Sequence, residues 1–172
     1  FERIAAEGVT IIDVDLFNET AGDRQKGFDV VTLMAVLEHY PHSLRTALNN
    51  VVQLLSPRGH LYVETPNIAY WPKRWNMLHG QSPLVPATDI FDSAVPFIGH
   101  HHEFAPDELE ELLRRAGFEP LRQWLFNYSR PRVDTWQKLA WRIRPAGWGE
   151  NIEDLIFRWW PRTRECVSLL CR

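Results

Sequence analysis

The chain has 172 residues, 45% hydrophobic and 24% charged, with a formal net charge of −3. That balance belongs to one soluble globular domain and excludes disordered, collagen-like and fibrous chains; at this size a domain buries about 70% of its unfolded surface and needs no disulfide or metal staple. The mild negative charge argues against a nucleic-acid partner held on a large basic surface. Cys166 and Cys171, five residues apart, form neither a zinc pair nor a disulfide framework, so a reducing cytoplasm is the expected compartment. No run reaches the ~18 apolar residues of a membrane span. Phe1-Glu2-Arg3-Ile4 has no initiator Met and no signal-peptide design, and the chain reads as cut rather than processed.

Charge is unevenly placed. Residues 1–123 carry 10 Lys and Arg against 17 Asp and Glu, whereas residues 124–172 carry 9 against 5 and hold six of the eight Trp residues. Basic residues among Trp suit Arg stems packed on rings, a cap over an anionic substrate, or a peripheral membrane contact.

In chain order, Phe1 to Gly8 reads as helix and Val9 to Val14 as a short β-branched strand. Phe28 to Met34 is a nearly continuous apolar run, expected of a parallel strand buried on both faces. Leu44, Leu48, Val51, Val52 and Leu55 form one helical face that ends at Ser56-Pro57-Arg58-Gly59, and Leu61 to Thr65 is the next strand. Residues 66–104 contain Trp71 and Trp75 on a short helix and then a long Pro-bearing loop. Pro106 opens a helix that Gly117 caps, followed by a strand from Phe118 to Phe126. Val133 to Arg144 and Ile152 to Trp160 read as amphipathic helices, and Glu165 to Cys171 as the closing strand.

Three blocks carry a family resemblance: FDVVTLMAVLEH at 28–39, LLSPRGHLYVETPN at 54–67 and HEFAPDELEELLRRAGF at 102–118. In that order they resemble the fourth strand with its helix, the fifth strand after an L-x-P-x-G turn, and the last helix of class I S-adenosylmethionine-dependent methyltransferases. The closest flavour is the small-molecule O-methyltransferases of ubiquinone-pathway type. The resemblance implies an α/β fold: a partial Rossmann-like sheet with strands 3 to 7 of a seven-stranded, mostly parallel sheet of order 3-2-1-4-5-7-6, its last strand antiparallel, flanked by helices. It further implies a single truncated domain over 1–172, with an acceptor-side loop region at 66–104 and a basic, Trp-rich helical insertion at 127–164. The glycine-rich cofactor turn and the ribose-binding acid of such folds are expected before Phe1.

The resemblance makes S-adenosyl-L-methionine the expected cofactor and a small molecule the expected acceptor at oxygen or nitrogen. Asp15, or Asp13 as an alternative, takes the adenine-binding place with the Leu16 backbone, and Thr32, Leu33 and Met34 close the central strand at its ligand-binding edge. Asp15 equally suits a plain turn cap. Glu38 and His39 are the catalytic candidates, with His39 as the base for an acceptor that must lose a proton; a helix-start Glu beside a hydrogen-bonded His fits the residues too. In the ubiquinone-pathway group the matching segment resembles E-x-x-E-H and binds a divalent metal, but here Ala35 stands at the first acid position and no metal is assigned. In His100-His101-His102-Glu103 only His100 and His102 share a face of an extended segment, and His102 is read as a substrate contact. Tyr70, Trp71 and Trp75, with Phe97, are read as an apolar acceptor pocket or as ordinary core. Two rival readings are a non-catalytic remnant or binding module of the same fold, and a nicotinamide oxidoreductase, which lacks support because no Tyr-x-x-x-Lys pair follows the central strands.

Overall fold

A computed structural model of the chain describes residues 15–16, 26–41, 43–129 and 148–172. The expected helix at 1–8, the strand Val9 to Val14, Asp13 and the helix Val133 to Arg144 lie outside these residues. Four strands, β1 (Phe28–Met34), β2 (Leu55–Pro66), β3 (Pro120–Phe126) and β4 (Cys166–Cys171), form one sheet in the order β1-β2-β4-β3. This is the 4-5-7-6 portion of the expected order. β1 and β2 are parallel, and β4 runs antiparallel to both of its neighbours. A strand that returns between two others in this way satisfies both of their edges at once.

The helices follow from local signals. In α1 (Leu44–Leu54), the Ser43 hydroxyl accepts the Arg45 N–H at 3.3 Å, and Ala47, Leu48 and Val51 face the core. α2 (Trp71–Leu78) and α3 (Ala87–Phe91) interrupt the long connection after β2. α4 (Pro106–Arg115) starts on a proline, with the Glu108 carboxylate accepting the Ala105 N–H at 3.2 Å, and ends before Gly117, whose φ of +93° suits only glycine well. Its Leu109 and Leu113 are fully buried. α5 (Trp148–Trp159) starts four residues earlier than the sequence pattern places it.

Along β2, Leu61, Val63 and Thr65 point into the core beside Val167 and Leu169 of β4, while Tyr62 and Glu64 lie on the other face. Asn67, buried at the end of β2, donates from Nδ2 to the carbonyls of Arg162 and Arg164 at 2.9 and 2.7 Å and accepts the Ala69 N–H. It thereby ties the exit of β2 to the chain entering β4.

Two expectations are corrected. β1 is not buried on both faces: Val30 is 57% and Met34 54% exposed, and among the described residues its one ladder is with β2. β2 begins directly at the end of α1 rather than at Leu61, because residues 56–59 loop out within the ladder between Phe28↔Leu55 and Val30↔His60. A side chain at Gly59 would meet the Phe28 carbonyl at 2.7 Å, so this close approach requires glycine. Burial pushes the Cys166 thiol up to about 12 and the Cys171 thiol up to about 11, which leaves both protonated and unreactive near neutrality. Among the described residues no helix is long and apolar enough to cross a membrane.

Candidate functional site

The carboxyl end of β1 turns sharply. Ala35 has a φ of +52°, a conformation an L-residue with a Cβ adopts at a cost, and its N–H donates to the Glu64 carbonyl at 3.0 Å. The turn sends the chain into a single 3₁₀ turn, Leu37–His39, whose Leu37 side chain anchors it in the core. Glu38 is thereby carried to full burial, 0% exposed, with neither carboxylate oxygen hydrogen-bonded. Burial pushes its carboxyl above the ordinary range, while its own backbone N–H, His39 and His100 pull the other way.

A second segment closes over this turn. The N–H groups of His101 and His102 donate to the Glu38 carbonyl at 2.7 and 3.3 Å, and His39 Nδ1 lies 3.2 Å from the Gly99 carbonyl. These bonds bring the His100 ring edge-on to His39, with centroids 4.7 Å apart. His100 Nδ1 lies 2.9 Å from one oxygen of Glu103, and the other oxygen is paired with Lys73 of α2. The Glu103 side chain is 8% exposed. One ligand atom from each of Glu38, His39 and His100 lies within 4.8 Å of the others.

The remaining sequence candidates are distributed around this centre. Thr32 and Met34 are exposed at the end of β1 and Leu33 belongs to the core. The Leu16 carbonyl accepts a 2.7 Å bond from Asn50 of α1, and the charge of neighbouring Asp15 acts on the Tyr40 phenol, next to His39, whose pKa desolvation and that charge raise. Tyr70 stacks on Phe157 of α5, with ring centroids 6.0 Å apart, and Trp71 meets Trp75, half of whose surface is exposed. His102 pairs with Glu108 at 2.8 Å and packs edge-on to Phe104, away from the His39–His100 contact. The structure thus joins Glu38 and His39 to His100, a residue that alternation within 100–103 couples only to His102. The sequence signal was the His-rich string itself; its partner lies 61 residues upstream.

A family model described as a methyltransferase domain matches residues 2–123. The chain belongs to the methyltransferase-domain family. Methyl transfer is its reaction class. Solved structures with the same fold include a SAM-dependent methyltransferase from Archaeoglobus fulgidus, 15% identical, with a TM-score of 0.54 over 99% of this chain and 70% of that one. An S-adenosylmethionine-dependent methyltransferase from Mesorhizobium loti is 18% identical, with a TM-score of 0.55 over 99% and 74%. The methyltransferase CalH in complex with SAH is also 18% identical, with a TM-score of 0.51 over 99% of this chain and 38% of that one. No curated protein matches the sequence. In this methyltransferase domain, the open end of β1 is where such a sheet receives ligands.

Proposed function

We propose that the protein transfers a methyl group from S-adenosyl-L-methionine to an oxygen or nitrogen of a small-molecule acceptor. The observation that carries this reading is the position of Glu38, His39 and His100 at the carboxyl end of β1, in a chain of the methyltransferase-domain family. The cofactor also fits the described residues: the exposed backbone around Thr32 to Ala35 is open to its amino-acid end, and Asp15 with Leu16 is held by Asn50 on the adenine side. The neighbouring structures whose printed descriptions name S-adenosylmethionine or SAH support the same choice.

When bound, S-adenosylmethionine supplies a methyl group on a sulfonium, open to in-line displacement. The chain has then to align the acceptor and take its proton. His39 Nε2 receives the proton from the acceptor O–H or N–H as the acceptor lone pair bonds to the methyl carbon; the C–S electron pair leaves with sulfur, giving S-adenosylhomocysteine and the methylated product. The Gly99 carbonyl accepts from His39 Nδ1–H and so selects the tautomer with Nε2 free. Glu38 favours the imidazolium that results. Tyr70, Trp71, Trp75 and His102 form the acceptor side within 66–104.

The test uses protein isolated from its source cells. S-adenosylhomocysteine should bind in a calorimetric titration, and His39→Ala should lower turnover at least ~10-fold with cofactor affinity unchanged. Absence of S-adenosylhomocysteine binding overturns the reading, and unchanged turnover removes His39 as the base.

A further inference from the structure

Glu38 poses a physical problem that methyl transfer does not require. A carboxylate with no exposure and no hydrogen-bond partner is among the more costly groups to bury, and proteins keep one only where something compensates the charge. The nearest cation in the cluster, Lys73, is committed to Glu103. What faces Glu38 is two imidazoles, His39 and His100.

Both imidazoles are held in one manner. His39 Nδ1 is engaged by the Gly99 carbonyl, and His100 Nδ1 by the buried Glu103 carboxylate, itself anchored by Lys73. Neither Nε2 has a hydrogen-bond partner among the described residues. An imidazole whose one nitrogen is tied to a carbonyl or carboxylate, and whose other nitrogen is bare, is the arrangement that supports metal ligation. Two bare imidazole nitrogens and one carboxylate, with a fourth position open, form a zinc-type donor set.

We propose that Glu38, His39 and His100 bind a divalent first-row transition ion of zinc type, with Glu103 and Lys73 orienting His100. The donors lie within 4.8 Å of one another, wider than the ~3.3 Å separation in a tetrahedral site with ~2.0 Å bonds, so loading draws the 97–103 loop and the 37–39 turn together. This ligand set differs from the acid-rich E-x-x-E-H segment of the resembled group. Ala35 removes an acid and His100, from a loop distant in sequence, adds a nitrogen, which shifts preference from magnesium toward zinc or cobalt. A bound ion would supply Lewis acidity for an acceptor oxygen, and His39 would then hold the ion instead of taking the proton; only this use rests on the methyl-transfer reading.

The test reads metal binding and needs no turnover. Full-chain protein is stripped with a chelator, dialysed, and titrated calorimetrically with Zn²⁺ and separately with Mg²⁺; Co²⁺ loading is followed by its visible absorption. The expected result is one Zn²⁺ per chain, bound at least tenfold more tightly than Mg²⁺, and a tetrahedral Co²⁺ spectrum. Glu38→Gln and His100→Ala should each weaken Zn²⁺ by more than tenfold, and Glu103→Gln by about 10-fold through the lost support of His100. Circular dichroism melting establishes that each variant is folded, and His100→Ala, at a partly exposed ring, decides the matter if Glu38→Gln does not fold. Lack of stoichiometric Zn²⁺ binding, preference for Mg²⁺, or Zn²⁺ affinity unchanged in both ligand variants overturns the proposal. Zn²⁺ binding in a protein without methyl transfer leaves the ion site standing and removes the reading of the preceding section.

Discussion

The two halves of the candidate site are built to opposite standards. On the loop side, Glu103 is nearly buried but both of its oxygens are engaged, by His100 and Lys73, and the loop's N–H groups reach the Glu38 carbonyl. On the strand side, Ala35 sits in a left-handed conformation and the Glu38 carboxylate has no hydrogen bond at all. The same residue type, buried to a similar degree, is satisfied in one place and stranded in the other. Strain and unmet polar groups gather at working sites because a rigid surround holds them there. The loop is the surround, and the turn is what it holds.

This contrast predicts substitutions of opposite sign. Lys73→Met leaves Glu103 buried with a single partner and should cost about 3 kcal/mol in urea unfolding, toward the low end for a broken buried pair because Lys73 is itself partly exposed. A cost under ~1 kcal/mol would mean that the loop side is not the rigid half. Glu38→Gln should act in the other direction, raising the stability of chelator-treated protein by about 1–2 kcal/mol at neutral pH as it removes an uncompensated buried charge. The sign of its pH dependence follows from the raised carboxyl: above the ordinary carboxylate range the folded chain holds the proton that the unfolded chain has lost. Wild-type stability therefore falls as pH rises through that window, and the gap between wild type and Glu38→Gln should close on acidification.

Smaller effects sharpen the comparison. Ala35→Gly relieves the positive φ and should stabilise by about 0.5–1 kcal/mol, net of the backbone entropy glycine adds to the unfolded chain; thermal melting would show destabilisation instead if the turn were unstrained. The exposed Arg115–Glu111 pair of α4 is the control remote from the site. Arg115→Ala should change stability by no more than about 0.5 kcal/mol, and a larger loss would show that pairing matters as much in water as in the buried cluster.

Much of the sheet was legible because its signals are local. The apolar run at 28–34, the helical face from Leu44, and Pro106 with Gly117 each mark an element from its own residues. Burial of β1 was misjudged because a run of apolar residues reports suitability for a core, not the presence of a neighbour on each face. Residues 56–59 read as a turn but sit inside the β1–β2 ladder, since the bulge there depends on where Phe28 lies in the partner strand. At the site, Glu38 and His39 were visible as an adjacent acid and imidazole. His100 was not assigned with them because its role is set by backbone bonds to a carbonyl more than sixty positions away, a contact that periodicity within its own segment cannot report.

The place of β4 bears on how the chain is made. Synthesis delivers β2 and β3 long before β4, yet the two strands are joined only through it. A nascent chain that has not yet emerged beyond residue 166 presents two unpaired strand edges, and the Asn67 anchor lacks the carbonyls of Arg162 and Arg164 it is built to meet. Closure of this sheet is therefore a late event on the ribosome, and the interval before it is when a chaperone has most to shield.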